Sequence, residues 1–174
     1  MRLTGQITSM EKDFIAMINT HRGIIYKVCN LYGHEKDYKE DLFQEIVLQL
    51  WKSFPAFRQE SMISTWMYRV ALNTAISSFR RAKKKPESQS LSMAALEIPD
   101  MTDADEHARS AMLESAIQQL TKIEKALVML YLEEKSYREI SEIMGITQSN
   151  VGVKLNRTKS KLEKIIKADN NEHR

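Results

Sequence analysis

The residues best suited to recognition chemistry lie in Tyr137–Leu155, read as YREISEIMGITQSNVGVKL. Val151, Leu155, Thr158 and Leu162 recur at separations of three and four residues, so a helix through them gathers all four on one face. Ser149, Asn150, Val153, Lys154, Asn156 and Arg157 then occupy the opposite face and its flank, and Thr147, which caps this helix, opens the same set. Arg and Lys reach guanine edges or phosphates, Asn pairs with adenine, and an exposed Val touches a thymine methyl. Just upstream, Ser141 is small enough for two helices to approach, Gly145 supplies a left-handed turn, and Ile146 and Val151 plug the angle between the helices. An ordinary packed helix pair would explain the polar outer face, but not the cap, the turn glycine and the basic tail together. The pattern is that of a helix-turn-helix that reads duplex DNA.

Bond-making chemistry finds no comparable set. His21, His34, His107 and His173 are scattered, without a second histidine at helical metal-ligand spacing or a cysteine beside them. The sequence holds no glycine-rich phosphate loop and no nucleophile motif. These features imply a protein that is not an enzyme, with no cofactor and no metal. Cys29, the lone cysteine, cannot form an internal disulfide, and Met1–Met10 has neither an apolar core nor a small-residue cleavage site. The expected location is the reducing cytoplasm. The longest apolar run, Ala126–Leu132, is far short of the roughly 20 residues that cross a bilayer, so no membrane insertion is expected.

The elements that must hold the reader in place are helical. With 43% hydrophobic and 28% charged residues but only 5 Gly and 3 Pro, the composition favours an all-α protein over a sheet-rich or disordered chain. A first helix is predicted over Glu11–Tyr32, with Phe14, Ile15, Ile18, Ile25, Val28 and Leu31 at helical spacing and Gly33 just past its end. Asp37 with Glu40 has capping-box spacing and predicts a second helix that carries Leu42, Phe43, Ile46, Val47, Leu50, Trp51 and Phe54, ended by Pro55. After a polar loop to about Met62, a third helix over Ser64–Lys85 is expected to bury Trp66, Met67, Val70 and Ala71, with Phe79 a further candidate, before Pro86 stops it. Residues 86–106, rich in Ser, Met and acids and without periodicity, read as a flexible acidic linker. Helices resume over His107–Gln119. Two capping boxes, Thr121 with Glu124 and Ser136 with Glu139, then open helices over Lys122–Glu134 and Tyr137–Met144, and a last helix reaches Lys167.

The predicted architecture is therefore two small helical domains, 11–85 and 107–167, joined by that linker. The net charge of +3 is too small to identify a nucleic-acid partner, but the distribution is informative. Arg80, Arg81, Lys83, Lys84 and Lys85 close the first helical unit, and Lys154, Arg157, Lys159, Lys161, Lys164 and Lys167 close the second. A single block reads as a solvated helix end. Two blocks, each closing a unit, point to two phosphate contacts.

DLFQEIVLQLWKSF (Asp41–Phe54), STWMYRVALNTAISSFRR (Ser64–Arg81) and the helix-turn-helix, in that order, resemble the signature segments of extracytoplasmic-function RNA polymerase sigma factors. The resemblance spans nearly the whole chain apart from its tips and the linker. It implies a first domain of the sigma region 2 type, a second of the region 4 type, and partnership with core RNA polymerase, promoter DNA and an anti-sigma factor. By this resemblance, Asp41, Gln44 and Glu45 dock on a basic coiled-coil of the polymerase's largest subunit; on their own, Asp41 and Glu45 also read as favourable charges near a helix N-terminus. By similarity, the helix from Ser64 and the loop before it would meet the promoter's -10 element, with Arg69, Asn73, Ser77, Arg80 and Arg81 on the helix's polar side. By the same resemblance, Phe57, Arg58, Gln59, Glu60 and Ser61 sit in the loop that in this family accepts a flipped base, and which of them captures it is left open. Trp66 sits at core spacing. The resemblance also implies that Thr147, Ser149, Asn150, Val153, Lys154, Asn156 and Arg157 face the -35 element. Two positions depart from the family's pattern: Gly152, where many relatives carry a polar or basic residue, and Ser141, where alanine is common. Gly152 costs helix propensity that the packed face tolerates, or it permits close approach to the DNA backbone.

A homodimeric helix-turn-helix repressor is the main rival, but it needs a dimerisation surface. No heptad run supplies one, and the first three helices would have no purpose. A ligand-sensing regulator lacks a sensor domain in the same way.

Overall fold

The computed structural model describes residues 8–33, 35–57, 60–82 and 104–172, excepting the side chains of 79–82, 104–108 and 170–172. The described residues form seven α-helices and one 3-10 turn, as the composition predicts. They gather into two compact units, the first built on α1 (Ser9–Tyr32), α2 (Lys36–Ser53) and α3 (Ile63–Ala82), the second on α4 (Ala104–Gln118), α5 (Lys122–Leu132) and α7 (Gln148–Glu172). Between α5 and α7 in the chain lies α6 (Tyr137–Met144). The expected linker falls outside the described residues as far as 103, and α4 begins at Ala104, a turn earlier than the apolar spacing indicated.

In the first unit α1 starts two residues before Glu11, because Thr8 and Glu11 close a capping box: the Glu11 N–H donates to Thr8 Oγ1 at 3.3 Å and the Thr8 N–H to Glu11 Oε2 at 2.6 Å. Phe14, Met17, Ile25, Val28, Cys29 and Tyr32 are its buried residues. Ile15, expected in the core, is half exposed, since the core face runs through Met17 instead. Gly33 ends α1 with an extended φ of −95° and not a left-handed turn. Its glycine is required by space: a Cβ would stand 2.5 Å from Lys39 Cγ and 2.7 Å from the Cys29 carbonyl oxygen.

The Asp37–Glu40 capping box does not form. α2 begins at Lys36 behind Glu35, which makes no side-chain cap bond, and Asp37 lies inside the first turn, where its charge meets the helix dipole. Leu42, Ile46 and Leu50 are buried on α2, each worth about 1.5–3 kcal/mol of transfer free energy. The helix gives way at Ser53 to the 3-10 turn Phe54–Ala56 that holds Pro55. An aromatic chain joins this turn to its neighbours: Phe14 meets Trp51 edge-on at 5.0 Å and Phe54 at 5.3 Å, and Phe54 lies 6.4 Å from Trp66. Trp66 is core, as its spacing predicts, together with Met67 and Ala71; Tyr68, Leu72 and Ala75 join them, whereas Val70 is half-buried. Cys29 is buried, and desolvation, partly offset by the Lys39 charge, pushes its thiol up to about 11.

In the second unit α7 packs against both α4 and α5, and α5 buries Ala126, Leu127, Val128 and Leu130. Ala116, Leu120, Val128 and Leu162 form one cluster, flanked by Ile117, Ile165 and Ile166. Lys125 is buried too. Its Nζ donates to Gln118 Oε1 at 2.7 Å, and burial lowers its pKa. The Thr121–Glu124 box forms as predicted, with the Glu124 N–H on Thr121 Oγ1 at 3.3 Å and the Thr121 N–H on Glu124 Oε2 at 2.8 Å. α5 ends at Leu132 and not at Glu134, because Glu134 takes the left-handed region at φ 56°. The Lys135 N–H then reaches back to the Leu130 carbonyl at 3.1 Å.

Candidate nucleic-acid interface

α6 opens on the second predicted capping box. The Glu139 N–H donates to Ser136 Oγ at 3.2 Å, and both the Ser136 N–H and its hydroxyl donate to Glu139 Oε2 at 2.8 Å. These Ser136 bonds, with Lys135 at 3.4 Å, hold the Glu139 carboxyl below its ordinary value. Gly145 makes the turn at φ 66°, where an L side chain would be strained, and its N–H donates to the Ser141 carbonyl at 2.9 Å. Thr147 caps α7 by accepting from the Asn150 N–H at 3.2 Å. This short, twice-capped connection fixes the start of α7.

The two faces of α7 divide as the spacing predicts. Val151 and Leu155 are fully buried, Thr158 is 2% exposed and Leu162 9%. The Thr158 hydroxyl is satisfied by the Lys154 carbonyl at 2.8 Å, so the one polar member of the buried face carries no desolvation debt. Thr147, Ser149, Asn150, Val153, Lys154, Asn156 and Arg157 are all exposed, and Val153, at 47%, is an apolar spot in a polar field. Gly152 does not belong to that field: a Cβ there would lie 3.4 Å from Tyr137 Cε2, so the position faces α6 and not the outer surface. The notion that it admits the DNA backbone is therefore corrected; it sits under an aromatic ring.

On α3, Arg69, Asn73 and Ser77 are exposed at successive i, i+4 positions and form one ridge opposite the buried face. The side chains of Arg80 and Arg81, and all of Arg58 and Gln59, lie outside the described residues. Of the other loop candidates, Glu60 is exposed and Ser61 half-buried, while the Phe57 ring packs on Trp66 with centroids 4.7 Å apart. One face of Phe57 is thus already spent on the aromatic chain.

On α2, Asp41 and Gln44 are exposed, and Glu45 is half-buried and accepts from Gln49 Nε2 at 2.8 Å. Sequence reasoning passed over Leu48. It is 43% exposed, one turn beyond Gln44 and Glu45, so an apolar side chain stands on the same polar face. Its absence from the core spacing was the available signal. Among the described residues, no group of three or more His, Cys, Asp or Glu could hold a metal ion, and no helix is long and apolar enough to cross a membrane.

A three-helix unit with an acidic exposed edge, together with the helix-turn-helix of α6 and α7, makes up a DNA-binding transcription protein. Two family models match the chain, sigma-70 region 2 over residues 17–85 and sigma-70 region 4 over residues 110–162. The ECF RNA polymerase sigma factor SigW of Bacillus subtilis is 26% identical, over 93% of this chain and 94% of its own. The RNA polymerase sigma factor YlaC of the same species is 27% identical, over 81% of this chain and 84% of its own. Among solved structures, the sigma factor RpoE from Bartonella quintana, in complex with the anti-sigma factor NepR, has the same fold, with a TM-score of 0.71 at 18% identity over 91% of this chain and 99% of that one. The chain belongs to the sigma-70 family, in its extracytoplasmic-function group. Members are transcription-initiation factors rather than catalysts, and their partners are core RNA polymerase and promoter DNA.

Proposed function

We propose that the two units divide promoter recognition between them. Residues 11–85 bind core polymerase through Asp41, Gln44 and Glu45 and meet the -10 element through α3 and the loop before it, where Phe57, Arg58, Gln59, Ser61, Arg69, Asn73, Ser77, Arg80 and Arg81 act. Residues 107–167 meet the -35 element through Thr147, Ser149, Asn150, Val153, Lys154, Asn156 and Arg157. Residues 86–106 tether the two. Capture of a displaced base in the loop of residues 57–61 helps open the duplex. The chemistry stays with the polymerase, so the chain is not an enzyme; it works in the cytoplasm, and an anti-sigma factor holds it inactive. The RpoE neighbour, solved with such a partner, supports the last point.

The observation that supports this reading is the two-sidedness of α7, whose sealed face of Val151, Leu155, Thr158 and Leu162 leaves Ser149, Asn150, Val153, Lys154, Asn156 and Arg157 exposed on the other. The experiment that separates initiation factor from repressor is made on α2. Asp41 is exposed and Glu45 half-buried, while Leu42, Ile46 and Leu50 hold the helix, so charge can change there without opening a cavity. Asp41→Lys with Glu45→Lys is expected to turn attraction to a basic surface into repulsion that costs several kcal/mol, on the order of 2–5, with helicity unchanged. Titration of both proteins against cognate core polymerase, with circular dichroism as the control, measures it. A wild-type chain without affinity for core polymerase would transfer the case to the homodimeric repressor.

A further inference from the structure

Several cations of the α7 basic block are already engaged within the protein. Lys167 is paired with Glu163 on the same helix at 2.6 Å. Lys159 and Lys161 instead reach off α7 to α5, a helix it packs against. The Lys159 Nζ lies 3.7 Å from the centre of the Tyr131 ring, a cation–π contact. The Lys161 Nζ donates to Glu124 Oε2 at 2.8 Å, the oxygen that also accepts the Thr121 N–H in the α5 capping box. Glu124 and Tyr131 stand two turns apart on α5, so they share one face of it at a separation of about 10 Å. On α7 the two lysines are separated by Ser160 alone. At about 100° of turn per residue, that spacing sets them roughly 200° apart around the axis, one on each flank of the buried stripe of Val151, Leu155, Thr158 and Leu162. Each flank of α7 is thus tied to α5 by its own lysine. Apolar contact is not directional, so a helix held by its buried stripe alone can roll about its axis. With the ties in place, a roll in either direction must stretch one of them.

We propose that Lys159 and Lys161 are positioning residues that fix the roll of α7, and through it the direction in which Ser149, Asn150, Val153, Lys154, Asn156 and Arg157 are presented. This takes two cations out of the block expected to touch phosphate, and it rests on the -35 reading of α7. A roll of about 20° carries a side-chain tip 5–6 Å from the helix axis through about 2 Å, more than a hydrogen bond to a base edge tolerates. Base preference is therefore the property most sensitive to the ties. Folding is much less so: Tyr131 is 42% exposed and so is the Lys161 side chain, and contacts this open to solvent add little to stability.

The test uses the full chain assembled with cognate core polymerase on a promoter fragment, with circular dichroism to show that helicity is retained. Lys159→Gln and Lys161→Gln are each expected to cut the discrimination between the cognate -35 sequence and single-base variants of it by roughly 3- to 10-fold, a part of what one base pair contributes. Their slopes of log affinity against log salt should equal that of wild type, whereas loss of a phosphate contact lowers the slope by about 0.9. Tyr131→Phe keeps the ring and should discriminate as wild type does. Tyr131→Leu should match Lys159→Gln, and the two changes together should lose no more than either alone. Wild-type discrimination in either lysine variant, or a slope lowered by about 0.9 in either, would overturn the proposal. A wild-type assembly that binds promoter while ignoring the -35 sequence would instead overturn the reading of α7 on which the proposal rests.

Discussion

At the scale of single residues, Gly152 shows how a neighbour decides what a side chain costs. A glycine inside a helix gives up about 1 kcal/mol relative to alanine, and the Cβ that alanine would add meets Tyr137 Cε2 at 3.4 Å and Cδ2 at 4.0 Å, ordinary van der Waals distances. Tyr137 is 41% exposed and has room to yield. Gly152→Ala is therefore expected to stabilise the second unit by up to about 1 kcal/mol, read as a rise in its denaturation midpoint; a lower midpoint would mean that the Tyr137 ring is fixed. The sequence marked Gly152 as unusual but could not place the ring above it, because that contact depends on how α6 turns into α7. The outer residues of α7 were legible for the opposite reason. Val151, Leu155, Thr158 and Leu162 repeat along one helix, and local periodicity alone assigns the other face. Phe57 was not legible in this way: nothing in its spacing announces that its ring lies on Trp66.

At the scale of elements, the helix starts follow from hydrogen bonds between residues three apart, and these also set a pH dependence. Desolvation pushes the Glu124 carboxyl up, but the bonds from Lys161 and Thr121 outweigh it and leave the pKa below its ordinary value; the Ser136 bonds do the same for Glu139. A carboxyl with a depressed folded pKa contributes stability that is complete above the unfolded value of about 4.3 and is lost as pH falls through the lower folded value. The second unit is expected to lose stability on acidification through this window, and Glu124→Gln, which cannot titrate, should flatten the curve; urea unfolding between about pH 5 and 3 measures it. Boxes at Thr121 and Ser136 were legible because hydroxyl and carboxylate stand at the required spacing directly before an apolar run. The same spacing misled at Asp37, where the chain enters α2 two residues earlier, behind Glu35, and the carboxylate falls inside the helix. The end of α5 was illegible, since it turns on Glu134 in a conformation that usually calls for glycine.

At the scale of the whole molecule, each unit has buried residues enough for a core of its own. Leu50 and Leu155 are both fully buried, one in each. Replacing either with Ala should cost about 2–5 kcal/mol, and the loss should appear in the unfolding of its own unit alone. Differential scanning calorimetry of the two variants checks this, and a matching shift of the whole transition in both would show a single cooperative block. The division into two helical units was legible because residues 86–106 interrupt the apolar spacing, whereas the packing of aromatic rings around Phe14 requires elements that only the fold brings together. The placement of Cys29 has a kinetic consequence. The chain has a single thiol, it lies in the first unit, and it is both shielded and protonated at neutral pH. A thiol reagent therefore reacts at the rate at which that unit opens, and Cys29 serves as a built-in clock for the half of the molecule that contains it.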